Sequence, residues 1–166
     1  MSLMLADTSI WIAHFRKPNP ALQTLLAADQ VLCHPMVLIE IACGTPPAPR
    51  ERTLSDLRQL RSSTVANTDE TLALIEREQL QDSGCGAIDL LLLGSVLLTS
   101  DAVLWTLDKD LRALAARFDI LFMNPLACRS FDVLPETAPH FLPDRGRRIP
   151  DAPERPTHSP SDQYDL

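Results

Sequence analysis

The chain lacks the marks of a zinc ribbon, a nucleic-acid coat and a membrane protein. Its four cysteines, at 33, 43, 85 and 128, nowhere form a C-x-x-C pair. That spacing excludes a zinc ribbon, and their apolar neighbours suit small core residues in a reducing compartment. Net charge is −7, and residues 1–124 carry ten basic against fifteen acidic side chains. Such a balance excludes the basic surface of a general nucleic-acid coat. It leaves open an acidic enzyme whose bound cations neutralise substrate phosphates locally. No basic segment precedes a long apolar run at the N-terminus, so no signal peptide is expected. The apolar run 87–98 is interrupted by Asp89 and is too short to span a bilayer. A cytoplasmic protein that does not engage membranes is the expectation.

What is present is enough apolar sequence for one core. The chain has 166 residues, 45% of them hydrophobic, which fits a single domain. Eight of the fourteen prolines lie after Asn124, together with several charges. Residues 125–166 therefore read as an irregular, flexible extension, and the folded unit as residues 1–124.

Within that unit strands and helices alternate. A buried strand over 2–7 leads into Asp7-Thr8-Ser9, three consecutive N-cap candidates ahead of Ile10-Trp11-Ile12-Ala13-His14-Phe15. A short helix at 21–28 and a strand at 31–33 follow. Pro35 suits the first turn of a helix over 35–43, although Val37, Ile39 and Ile41 are β-branched and leave that assignment ambiguous. An Arg-rich helix is expected over 49–62, then a strand near Thr64-Val65-Ala66, and a helix from Thr68 through Leu80. Gly84 and Gly86 bracket a turn before the nearly all-apolar helix 87–99, which must be buried. A strand at 103–106, a helix at 109–117 and a last strand at 120–122 complete the order. This alternation predicts a mainly parallel sheet with helices on both faces, in which ligands bind beyond the carboxyl ends of the strands.

Four acids stand alone against apolar stretches. Asp7 closes the first strand, Glu40 is the one charge in 36–43, Asp89 opens Leu90-Leu91-Leu92-Leu93, and Asp108 follows Val103-Leu104-Trp105-Thr106-Leu107. An isolated carboxylate beside buried surface is expensive unless paired or bound to a metal. Asp7 and Asp108 have a simpler role available as helix caps, and Glu40 as a residue facing water on a half-exposed helix. Asp89 resists such a reading. The macrodipole favours an anion in a first turn, but solvent is scarce on so apolar a helix. Asp101 and Asp110 look like ordinary loop or first-turn acids. Four carboxylates without a His/Cys cluster point to Mg²⁺ or Mn²⁺ rather than zinc. Such an ion polarises a phosphodiester and orients water. Arg50, Arg52, Arg58 and Arg61 are the one basic concentration. They can hold a phosphate backbone, or form a solvated face, since Glu51 and Asp56 are interleaved.

At these residues the chain resembles the PIN-domain ribonuclease toxins of the VapC type. The resemblance runs through Leu5-Ala6-Asp7-Thr8-Ser9-Ile10-Trp11-Ile12, His34-Pro35-Met36-Val37-Leu38-Ile39-Glu40, Gly84-Cys85-Gly86-Ala87-Ile88-Asp89 and Leu104-Trp105-Thr106-Leu107-Asp108-Lys109-Asp110, in order, over residues 3–122. It implies a PIN-like α/β/α sandwich, RNA cleavage dependent on Mg²⁺ or Mn²⁺, a homodimer, and neutralisation by a cognate antitoxin. It further implies that Asp7, Glu40, Asp89 and Asp108 are the catalytic acids, supported by the hydroxyls of Thr106 and of Thr8 or Ser9. Asp7, Asp89 and Asp108 are the expected direct metal ligands, with Glu40 binding metal or positioning the attacking water. Leu91 stands where related toxins often carry a histidine. Two other classes fit less well. A catalytically silent PIN-like module that binds RNA or a partner shares the fold. A phosphatase forming an aspartyl-phosphate normally has a second Asp two residues after the first, where this chain has Ser9.

Overall fold

The computed structural model describes residues 2–123; the expected extension, 125–166, lies outside them. In chain order the elements are β1 (Leu3–Ala6), α1 (Thr8–Arg16), α2 (Pro20–Ala27), β2 (Val31–Cys33), α3 (Pro35–Cys43), α4 (Arg50–Arg58), β3 (Arg61–Ser62), α5 (Thr68–Glu78), α6 (Ala87–Leu98), β4 (Ala102–Trp105) and α7 (Lys109–Arg117). The strands form one parallel sheet in the order β3-β2-β1-β4. Among the described residues, seven helices and a four-stranded parallel sheet make the α/β/α arrangement that the sequence pattern predicts.

The helix starts follow local chemistry. Asn19 accepts N–H bonds from Ala21 and Leu22 ahead of α2, with Pro20 as its first residue. Asn67 and Glu70 form a reciprocal capping box at α5, at 2.9 and 2.8 Å. Parallel strands are buried on both faces, and accordingly Met4, Leu5, Ala6, Leu32 and Leu104 are all core residues. The apolar helix α6 lies inside, burying Leu90, Leu92, Leu93, Gly94, Ser95 and Val96. At Gly94 a Cβ would stand 3.3 Å from that of Ala66, so a larger residue would push α6 away from this segment. None of the helices is long and apolar enough to cross a membrane among the described residues.

Three elements differ from the sequence expectation. The helix expected over 49–62 stops at Arg58, and β3 is Arg61–Ser62 rather than Thr64-Val65-Ala66. Leu32 and Cys33 of β2 are in register with Arg61 and Ser62, so pairing is complete before Thr64. The amides of Thr64 and Ala66 donate instead to the hydroxyls of Thr99, the C-cap of α6, at 3.0 Å and of Ser95, within α6, at 2.9 Å. Side-chain acceptors thus satisfy donors that a strand would have used. The last strand, expected at 120–122, is reduced to one bridge. Leu104 donates to Ile120 and accepts from Phe122, and pairing ends there.

The packing predicts a sharp contrast between two leucines. Leu22 is fully buried, whereas Leu72 is 53% exposed. Leu22→Ala is expected to lower unfolding free energy by about 2–5 kcal/mol, and Leu72→Ala by about 0.5 kcal/mol or less. Urea denaturation measures both, and equal losses would contradict this placement of the core.

Candidate active site

Parallel pairing of β1 with β4 builds the centre. Ala6 is in register with Trp105, so the next residues, Asp7 and Thr106, emerge side by side at the carboxyl edge of the sheet. Asp7 is only 6% exposed. Its N–H donates to the Trp105 carbonyl at 2.9 Å. Its carboxylate accepts from the Thr8 amide on Oδ1, and on Oδ2 from Ser9 Oγ at 2.7 Å and Thr106 Oγ1 at 2.8 Å. The two hydroxyls are themselves fixed by backbone. Leu107 N–H donates to Ser9 Oγ, and Asp108 N–H to Thr106 Oγ1, both at 3.0 Å.

Glu40 projects from α3 and is joined to α1 by Thr8, whose hydroxyl donates to Oε2 at 2.6 Å. Burial raises the Glu40 pKa above its ordinary value; the Thr8 bond opposes the rise, and the charges of Asp7 and Asp89 add to it. Asp89, in the first turn of α6, accepts the Gly86 amide on Oδ2 at 2.8 Å. Its pKa is also raised, chiefly by burial, with the Gly86 bond opposing and the charges of Asp7, Asp108 and Asp110 reinforcing. Asp108 caps α7, its Oδ1 accepting from Asp110 N–H at 3.0 Å and Leu111 N–H at 2.8 Å. Glu40 and Asp89 therefore both lie near enough to Asp7 to feel its charge, and Asp89 also feels that of Asp108. No three His, Cys, Asp or Glu side chains form a ready metal-binding group among the described residues; the carboxylates are neighbours rather than a closed cage.

The secondary candidates separate. Asp101 lies in the turn before β4, where its carbonyl accepts from Leu3 N–H at 2.8 Å. That is the opposite end of the strands, away from Asp7. Asp110 lies near the acids and close against Gly84, whose φ of +83° is a left-handed conformation. A Cβ there would come within 2.6 Å of Asp110 Oδ2. Arg50 donates to the carbonyls of Gly44 and Ala42 at the end of α3, and Arg52 pairs with Asp56 at 3.9 Å. Both contacts suit the solvated-face reading of that helix.

Sequence reasoning missed Cys85 as a neighbour of the acids. Burial pushes its thiol up to about 11, and the Asp89 charge is the next contributor. The thiol is thus neutral at physiological pH in the metal-free protein. Its position four residues ahead of Asp89 was the available signal. The remaining donors are hard oxygens, which suit a divalent ion such as Mg²⁺ or Mn²⁺. Unused positions exist for one: among the described residues Asp89 Oδ1 and Asp108 Oδ2 accept no hydrogen bond, and Asp7 Oδ1 accepts one.

Comparison with known proteins agrees with this geometry. The family model for the PIN domain matches residues 4–117, a span that holds all four acids. The chain is 43% identical over 114 residues to ribonuclease VapC32 from two strains of Mycobacterium tuberculosis, covering 69% of this chain and 91% of each relative. With the motif order, the parallel sheet and the acid-lined edge all in place, the chain belongs to the PIN-domain family and, within it, to the VapC group.

Proposed function

We propose that this chain is a divalent-metal-dependent endoribonuclease, the toxin of a toxin–antitoxin pair, with Asp7, Glu40, Asp89 and Asp108 as its working acids. The observation that carries the reading is Asp7, a buried carboxylate held by three donors at the strand edge, with Glu40 and Asp89 close enough to share its charge. Asp7, Asp89 and Asp108 are the residues to hold Mg²⁺ or Mn²⁺. The bound ion supplies Lewis-acid polarisation of the phosphodiester and stabilises the leaving oxygen.

The protein's own groups then divide the labour. Thr8 occupies Oε2 of Glu40 and leaves Oε1 free among the described residues. A carboxylate with a raised pKa is a stronger base than one in water, which suits Glu40 to take a proton from an attacking water. Thr106 and Ser9 orient Asp7 and, through the backbone of 107–108, fix where α7 begins. VapC toxins generally pair with a VapB antitoxin and act on RNA. For this chain we infer an RNA substrate, a cognate antitoxin, a homodimer, a cytoplasmic setting, and residues 1–124 as the PIN unit.

Three outcomes test the reading. Expression in bacteria is expected to arrest growth, and Asp7→Asn to relieve the arrest at equal protein level. A toxic Asp7→Asn variant whose RNA cleavage survives chelation sinks the mechanism. Thr106→Val removes a group that orients a ligand, so about 10–100-fold weaker Mn²⁺ binding is expected in calorimetry; unchanged binding would show that the hydroxyl has no such role.

The pH dependence follows from the raised carboxylates. Glu40 and Asp89 have folded pKa values above their unfolded ones. Their contribution is therefore intact below the unfolded pKa and is lost as pH rises through the folded pKa. The metal-free protein should melt lower at pH 7 than mildly acidic conditions would suggest, and Asp89→Asn should raise that melting temperature. Mn²⁺ at a hundred times its Kd stabilises the folded state by about 2.7 kcal/mol, so the wild-type melting point should climb with Mn²⁺ and that of Asp89→Asn much less. Scans with chelator and with Mn²⁺ decide it: no metal response, plus a less stable Asp89→Asn variant, means the acids do not act as one site.

A further inference from the structure

Glu40 and Asp89 sit on different helices, α3 and α6. The main packing partners of α3 are α1 and α4, while those of α6 are α5, α7 and β4. Among the described residues, one buried side-chain hydrogen bond ties the N-cap of α3 to α6. His34 and Ser95 are both wholly inaccessible to solvent, and His34 Nε2 lies 3.1 Å from Ser95 Oγ.

The donor and acceptor roles are fixed by the neighbours. Pro35 disfavours helical backbone at the preceding residue, and His34 is extended, with φ −113° and ψ 141°. From there its Nδ1 accepts the Met36 amide at 3.1 Å and caps α3. A ring that accepts on Nδ1 carries its hydrogen on Nε2, so Nε2 donates to Ser95. Ser95 donates its one hydrogen to the Leu91 carbonyl at 2.7 Å and accepts a second bond from Ala66 N–H at 2.9 Å. One hydroxyl thus has its donor and both lone pairs in use. It joins the helix of Glu40, the helix of Asp89 and the segment between β3 and α5. A buried network satisfied in this way permits one arrangement, because any shift leaves a polar group unpaired.

We propose that the His34–Ser95 hydrogen bond is a positioning device that sets the approach of Glu40 to Asp89 and so tunes the affinity of the site for its divalent ion. The proposal rests on the reading of these acids as a metal site. His34 and Ser95 are positioning residues: one lies six residues before Glu40, the other six after Asp89.

The test uses the full chain and Mn²⁺ alone. His34→Asn keeps a good cap for Met36 N–H but is too short to reach Ser95. Ser95→Ala keeps a small helix-favouring residue without the hydroxyl. Both are expected to bind Mn²⁺ about tenfold more weakly by calorimetry, at a temperature where circular dichroism shows each folded. Since they break the same bond, the double variant should lose little more than either single one. Leu22→Ala, destabilised in the core, should retain wild-type affinity. Wild-type affinity in folded His34→Asn or Ser95→Ala overturns the proposal, as does equal weakening in Leu22→Ala or full additivity in the double variant. If His34→Asn does not fold, Ser95→Ala against Leu22→Ala decides alone. A wild-type chain that takes up no Mn²⁺ overturns the metal reading itself, and the positioning role with it; normal wild-type binding with unaffected variants overturns the positioning role only.

Discussion

Like charges held close together without a counter-charge are the constraint on which the rest of this structure depends. Glu40 and Asp89 both feel the charge of Asp7, and Asp89 also that of Asp108 and Asp110. Two carboxylates about 4 Å apart repel by roughly 4 kcal/mol at an effective dielectric near 20. Local structure alone would not keep them there, because each acid belongs to a different helix start or helix face. The parallel sheet does so by aligning the carboxyl ends of β1 and β4, and the bond from Thr106 to Asp7 closes a separation of 99 residues. The core beneath it, from Leu5 to Leu104, resists the repulsion by being too well packed to yield.

Much of this was legible in the chain. Alternating apolar strands and capped helices gave the layer order, and the isolation of Asp7, Glu40, Asp89 and Asp108 gave the candidate acids. What resisted was pairing. Val65 makes the 64–66 stretch look like a strand, yet its amides are claimed by Ser95 and Thr99, some thirty residues away. β3 itself has no apolar signature, since Arg61 and Ser62 are exposed at a sheet edge. The same limit applies to Asp101 and Asp110. Both read as ordinary acids, but only the topology reveals that Asp101 faces the opposite end of the strands while Asp110 lies against Gly84.

The hydrogen-bond partners of the four acids are neutral groups. Among the described residues the ion pairs involve Asp56 and Glu78, on α4 and α5, and none reaches Asp7, Glu40, Asp89 or Asp108. Hydroxyls and amides serve these four instead: Thr8, Ser9 and Thr106 side chains, and the N–H groups of Thr8, Gly86, Asp110 and Leu111. A lysine or arginine in those places would relieve the repulsion and stabilise the fold, but it would also occupy the position of a cation. Neutral donors orient each carboxylate while leaving the summed negative charge available to a divalent ion. On the proposed reading, the like-charge repulsion that adds to burial in raising the Glu40 and Asp89 pKa values is relieved when a cation arrives, so part of the stability forgone in the metal-free protein returns as affinity.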